Sequence, residues 1–207
     1  PVILDNNGLR QDTEGKYGPD LYTEYLLDFT KRHHDQPFFI YYPMALTHGP
    51  FMPTPDSPGW IKDRQKSDLK NFKYMVEYTD KLIGRIMEGL DNLGLRDDTL
   101  VMFIGDNGSP TEVVSMLGDR PFQGGKGKST DAGTRVPLVA SWGNCETGIT
   151  ICDDLVDCSD FLPTMMEVVG TSLSSDTICD GRSFLPQLIG ERANPRKWIY
   201  SWHNPLP

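Results

Sequence analysis

Thr99-Leu100-Val101-Met102-Phe103-Ile104 runs without a polar break after Thr99 and opens into Gly105-Asp106-Asn107-Gly108. Continuous apolar character over this length is what a strand covered on both faces requires, so the stretch is read as a central strand of a parallel sheet. The polar, glycine-containing turn after it falls where open α/β sheets place their ligands, beyond the carboxyl ends of strands. Two more segments share that character. Pro37 to Tyr42 reads as a buried strand leading to Thr47-His48-Gly49-Pro50, and Val136 to Trp142 reads as a third strand entered from Gly124-Gly125-Lys126-Gly127-Lys128. All three loops are expected to converge on one cleft.

The intervening segments have helical spacing. Leu21, Tyr25, Leu26 and Phe29 mark a helix over Asp20 to His34. Phe72, Met75, Val76, Leu82, Ile83, Ile86, Met87 and Leu90 recur at three and four, which predicts a helix over Leu69 to Leu93 stopped by Gly94. A further helix is expected over Asp160 to Val169, with Pro163 in its first turn, and a last strand over Lys197 to Trp202. Alternating strands and helices give an α/β layered sheet.

Composition bounds the function. The chain has 207 residues, enough for one sizeable α/β domain or part of a larger one, and 38% of them are hydrophobic. Its formal net charge of −9 argues against nucleic acid as the main partner, because phosphate backbones are bound by surplus Lys and Arg. A small anionic substrate is still compatible, since a metal or a local cluster of cations can reverse the field in one cleft. No apolar run approaches the roughly 20 residues that span a bilayer, so no membrane role is expected. The opening at Pro1 and the stop after Asn204-Pro205-Leu206-Pro207 read as cuts through a longer chain. Cys145, Cys152, Cys158 and Cys179 lack zinc-ligand spacing and read as structural thiols or as one or two disulfides.

A few residues carry candidate chemistry. Asp106 followed by Asn107 at a strand end offers hard oxygen ligands, suited to Ca²⁺ or Mg²⁺; Asp-Asn-Gly is also an ordinary turn. Asn107-Gly108-Ser109 matches a glycosylation sequon, a role incompatible with metal binding. His48, just past a strand, is placed to give a proton or hydrogen bond to a substrate oxygen, or to act as a capped loop residue. Lys126 sits in a run of glycines that lets backbone and ammonium approach an anion, without the residue order of a P-loop. His33 and His34 lie in a charged helix end and are assigned nothing.

In order along the chain, Gln36-Pro37-Phe38-Phe39-Ile40-Tyr41-Tyr42, Thr47-His48-Gly49-Pro50, Asp97-Asp98-Thr99-Leu100-Val101, Gly105-Asp106-Asn107-Gly108, Gly125-Lys126-Gly127, Gly133-Thr134-Arg135-Val136-Pro137, Asp160-Phe161-Leu162-Pro163-Thr164 and Asp180-Gly181-Arg182-Ser183-Phe184-Leu185-Pro186 form a set. With it the chain resembles the sulfatase family of the alkaline-phosphatase-like superfamily, of the formylglycine-dependent arylsulfatase type. The resemblance implies a three-layer α/β/α sandwich, of which residues 1–207 would be the middle and later part of one catalytic domain. It implies that Asp106 and Asn107 are paired ligands of Ca²⁺ rather than Mg²⁺. His48 would stand near the ester oxygen, Lys126 would bind the sulfate, and Arg135 would tie its loop down. The partner would be a sulfated small molecule or carbohydrate, met in an exported compartment. The family's formylglycine arises from Cys or Ser in a Cys/Ser-x-Pro-x-Arg motif; none occurs here, so the nucleophile is expected upstream, as is an aspartate pair that completes the metal site. These residues alone are accordingly expected to be inactive. Two alternatives stay open: a phosphomonoester or phosphonate hydrolase of the same superfamily, and a non-catalytic truncated homologue that binds anionic sugars.

Overall fold

The computed structural model describes residues 1–143, 150–191 and 195–202. The chain divides into two compact units, Pro1–Arg96 and Asp97–Pro207. Within the first, a short hairpin of β1 (Leu4–Asp5) and β2 (Gly8–Leu9) precedes two helices, α1 (Gly18–Arg32) and α2 (Asn71–Asn92). Pro19 in the first turn of α1, Asp20 beside it and Lys31 and Arg32 in its last turn are the end signals a helix of this polarity favours. Met75, Tyr78, Thr79, Leu82 and Leu90 of α2 are buried, following the three-and-four spacing read from the sequence, and α2 ends two residues before Gly94.

The two helices are joined by a polar contact as well as by apolar packing. Asp20 accepts a hydrogen bond from the Tyr78 hydroxyl at 2.9 Å and one from Arg85 Nη1 at 2.7 Å. Burial, and then the Asp20 carboxylate, raise the Tyr78 phenol above its ordinary range. Ile3, Leu21, Phe51, Met75, Tyr78, Leu82 and Leu90 are the buried apolar residues of this unit.

The expected strand over Pro37 to Tyr42 is absent as a ladder element. Its burial does alternate, with Phe38, Ile40 and Tyr42 half-buried and Phe39 and Tyr41 exposed, but no strand among the described residues pairs with it. A period of two describes a segment's faces; a strand also needs a hydrogen-bonded neighbour.

The second unit contains β3 (Val101–Ile104), β4 (Val114–Leu117), β5 (Arg120–Gln123), α3 (Asp131–Thr134), β6 (Leu138–Ser141), a single 3₁₀ turn (Cys158–Asp160), α4 (Phe161–Val168) and α5 (Leu185–Leu188). β3 and β6 are the predicted second and third strands, but they pair antiparallel, with Val101 opposite Ser141 and Ile104 opposite Leu138. The parallel reading of β3 is therefore corrected. Val101 to Phe103 are half-buried rather than fully covered, so an unbroken apolar run did not report the pairing direction. Ser109 to Gln123, for which the sequence reading names no element, includes a hairpin of β4 and β5 turned at Gly118 and Asp119. The last predicted strand, Lys197 to Trp202, does not form; an isolated bridge between Leu155 and Arg196 lies just before it.

Asp160 is the hub of the C-terminal part. It is 2% exposed and accepts hydrogen bonds from the backbone N–H of Asp157 at 2.8 Å and of Arg182 at 2.6 Å. Arg196 grips the same carboxylate through Nε at 2.9 Å and through Nη2, which also donates to the Asp180 carbonyl at 2.9 Å. Thr164 donates to the Asp160 carbonyl at 2.7 Å and accepts from the Phe184 N–H at 3.0 Å. Asp160 to Thr164 and Asp180 to Phe184, distant in sequence, are thus stitched together.

Burial alone would push the Asp160 carboxyl up, but the Arg196 guanidinium and the two amides outweigh it and hold it below the usual carboxylate range. A carboxyl whose folded pKa is depressed stabilises the fold fully above its unfolded value, about 3.9, and loses that contribution as the pH falls through the folded value. Asp160→Ala leaves the half-buried Arg196 guanidinium without its carboxylate and the Asp157 and Arg182 amides without their acceptor, and is expected to cost about 3 kcal/mol in a urea titration near neutral pH. The difference between parent and variant should shrink in acid; a difference that stays constant from neutral pH down to well below pH 3.9 would contradict the assignment.

Cys152, Cys158 and Cys179 are free thiols, and Cys145 lies outside the described residues. Among the described residues no helix is long and apolar enough to cross a membrane.

Candidate functional site

Each strand-end loop of the second unit is held by backbone. The Gly105 N–H donates to the Pro137 carbonyl at 3.1 Å and the Gly108 N–H to the Gly133 carbonyl at 2.9 Å. The Lys126 N–H donates to the Ser109 carbonyl at 2.9 Å and the Gly124 N–H to the Val113 carbonyl at 2.8 Å. Asp106 to Ser109, Gly124 to Lys126 and the short α3 therefore form one cluster. A Cβ at Gly108 would collide with the Ala132 carbonyl oxygen and lie 3.0 Å from the Gly133 Cα, so no larger residue fits between this loop and α3. Gly108→Ala is expected to destabilise the fold by roughly 1–3 kcal/mol through overpacking, read as a lowered urea midpoint. An unchanged midpoint would show that the loop and α3 are not locked together.

Asp106 is exposed and Asn107 half-buried. One carboxylate oxygen of Asp106 accepts the N–H of the next residue, Asn107, at 2.9 Å. The other carboxylate oxygen and the Asn107 amide have no hydrogen-bond partner among the described residues. Two hard oxygens at a strand end fit calcium, which takes six to eight such ligands, but they fill only part of its shell. Among the described residues no three His, Cys, Asp or Glu side chains come together as a metal-holding group.

Lys126 is presented by a tight turn. The Lys128 N–H donates to the Gly125 carbonyl at 2.9 Å, and Gly127 has a φ of +80° while no non-glycine among the described residues has a positive φ. Positive φ at the third position alone is the requirement of a type II turn, with Lys126 at the second. Its ammonium is exposed and makes no hydrogen bond or ion pair among the described residues.

Beside Asn107 lies a recess of about 160 Å³, walled by Ser109, Ser115, Phe122 and Arg135 among others. Arg135 was expected to fasten its loop. Its backbone N–H donates to the Asp131 carbonyl at 3.0 Å, but its guanidinium is exposed and has no hydrogen-bond or ion-pair partner among the described residues. Backbone bonds and glycine packing fasten the loop instead.

His48 belongs to the first unit. Its ring is exposed, and Nδ1 lies 2.6 Å from the Gly49 carbonyl oxygen. A carbonyl only accepts, so Nδ1 carries the hydrogen and Nε2 is the nitrogen left for a substrate.

The comparisons with known proteins agree on one family. The sulfatase family model matches residues 4–171. The chain belongs to the sulfatase family. It is 32% identical to arylsulfatase A of Bos taurus over 171 residues, covering 82% of this chain and 32% of that protein. It is 31% identical to N-acetylgalactosamine-6-sulfatase of Homo sapiens over 185 residues, covering 87% and 34%. The sulfatase chain thus spans about a third of the length of these curated relatives. Among solved structures, Ps i-CgsB superimposes with a TM-score of 0.76 at 23% identity, covering 92% of this chain and 42% of that one. That likeness shows the alkaline-phosphatase-like α/β fold as a partial domain.

The residue the sequence reading missed is Arg196. Its role as the clamp on Asp160 has no local signal, because the pair is separated by 36 positions and only the fold brings them together.

Proposed function

We propose that the whole protein hydrolyses sulfate monoesters, with carbohydrate sulfates favoured over aryl sulfates. The observation that carries the reading is the second unit's cluster: strand-end oxygens of Asp106 and Asn107 on the same glycine-packed scaffold as the unpaired ammonium of Lys126. The family membership supports it, and a solved structure of Ps i-CgsB in complex with k-i-k-neocarrahexaose supports a sugar as the substrate's scaffold. We propose further that residues 1–207 form the middle and later part of one catalytic domain.

The roles follow from residue chemistry. Asp106 and Asn107 would hold Ca²⁺ together with ligands from outside these residues; the bound ion would neutralise charge on the sulfuryl oxygens. Lys126 would add a second positive charge at those oxygens, which carry more negative charge in the transition state than in the bound ester. His48, protonated, would give its Nε2 proton to the departing oxygen as the S–O bond breaks. The nucleophile, by family resemblance a formylglycine, is not among these 207 residues.

A phosphate-ester hydrolase would bind a different metal. Softer zinc prefers imidazole and thiolate ligands, whereas an Asp–Asn pair offers only oxygen. Metal analysis of the purified full-length protein is expected to find calcium in near-stoichiometric amount, and Asp106→Ala to lose it. Zinc in its place would overturn the sulfatase reading in favour of phosphoryl transfer.

A further inference from the structure

A recess of about 400 Å³ in the first unit has no part in the roles assigned above. Its volume lies in the range of small-molecule sites, roughly 300–1,000 Å³. Lys66, Lys70 and Lys73 line it, over a floor that includes Pro53, Pro58 and Tyr74. Between Trp60 and Tyr74 the chain places five Lys or Arg against two Asp, in a protein whose net charge is −9. This stretch is therefore an inversion of the overall sign.

The carboxylates within the recess, Asp63 and Asp68, offset that field in part against Lys66, Lys70 and Lys73. Asp68 accepts the Lys70 N–H at 3.0 Å and pairs with the Lys70 ammonium at 3.1 Å; first that amide and then the ammonium hold its carboxyl below the usual range. Asp63 is the other acidic wall. Lys73 has only a 3.6 Å contact with exposed Glu77, and the Lys66 ammonium makes no hydrogen bond or ion pair among the described residues. The recess also meets the N-terminus of α2, through Asn71 and Tyr74. That 22-residue helix has no acidic side chain in its first turn and no side-chain cap, so its partial positive end adds to the lysines.

The segment that carries Asp63 and Lys66 is held in place by its neighbours. The Arg64 guanidinium stacks over Trp60 at 3.9 Å and donates to the carbonyls of Gly15 at 2.9 Å and Lys16 at 2.6 Å. The Lys66 N–H closes a turn onto the Asp63 carbonyl at 2.7 Å. Arg64 is thus committed to the protein; Lys66 is the recess lysine with no carboxylate partner among the described residues, while Lys70 and Lys73 are exposed and shared with Asp68 and Glu77.

We propose that this recess is an accessory site for an anionic polysaccharide, in which Lys66, Lys70 and Lys73 hold sulfate groups other than the ester under attack. Proline and tyrosine faces would accept the C–H face of a sugar ring, and the ammonium groups its charged substituents. The choice of ligand class rests on the sulfate-ester reading, but the test does not require turnover.

In the full-length protein, calorimetric binding of a sulfated galactan hexasaccharide is compared with its desulfated counterpart and with inorganic sulfate. The triple variant Lys66→Ser, Lys70→Ser, Lys73→Ser is expected to bind the sulfated sugar about 10-fold more weakly, with an unchanged melting temperature. Lys66→Glu alone should weaken it in the same direction, and added salt should weaken the parent. Equal binding by the variants, equal binding of the desulfated sugar, or inorganic sulfate competing as well as the hexasaccharide would each overturn the proposal. If the parent binds the sulfated sugar in this way yet releases no sulfate from any ester, the sulfatase reading fails and the accessory site stands.

Discussion

Lys126→Ala in the full-length protein is expected to lower kcat by roughly 10²–10³, the loss that follows removal of one preorganised donor from an oxyanion-stabilising site. The structure supplies the reason for expecting so large an effect from an exposed residue. Lys126 sits at the second position of a type II turn anchored to the Ser109 carbonyl, and its ammonium is committed to no carboxylate among the described residues. The backbone of that turn should survive the substitution, since neither its hydrogen bonds nor the positive φ of Gly127 involve the lysine side chain. The loss should therefore appear in kcat without a change in melting temperature. Turnover within a few-fold of the parent would remove Lys126 from the chemistry.

His48→Ala is expected to lower turnover by about 10²–10⁴ for a sugar sulfate, the range of a lost general acid. The size should depend on the leaving group. A sugar hydroxyl leaves poorly without a proton, whereas 4-nitrophenolate leaves well without one, so the same variant should lose much less on 4-nitrophenyl sulfate. The Nδ1 contact with the Gly49 carbonyl fixes which nitrogen is available and makes the imidazolium the competent form. Equal losses on both substrates would point to a binding or structural role instead.

The two long helices and the strand-end turns were legible in the sequence because each rests on local chemistry. Apolar spacing of three and four marks α2, and Gly105-Asp106-Asn107-Gly108 marks a turn whatever lies around it. What depends on pairing partners was not legible. Val101 to Ile104 is a strand, but its direction relative to Leu138 to Ser141 is set by the fold, and Pro37 to Tyr42 has strand-like alternation without a ladder. The β4–β5 hairpin was hidden because its strands are exposed on both faces and so lack an apolar stripe. In the candidate site, the clustering of Asp106, Asn107 and Lys126 was anticipated from loop order. The independence of Arg135 was not, because a guanidinium in a loop reads the same in sequence whether or not a carboxylate faces it. The Asp160–Arg196 clamp lay equally out of reach, being a contact across 36 positions.

The claim on which the account rests is that this family member breaks sulfate esters with a calcium-assisted site. Its most direct measurement is the release of inorganic sulfate from a sulfated galactan oligosaccharide by the full-length protein, run beside the matching phosphate ester, before and after chelation of calcium. Sulfate release that stops on chelation and returns with added calcium, with little phosphate released, is the predicted result. Preferential phosphate release, or no hydrolysis of either ester by a folded, calcium-loaded protein, would contradict it.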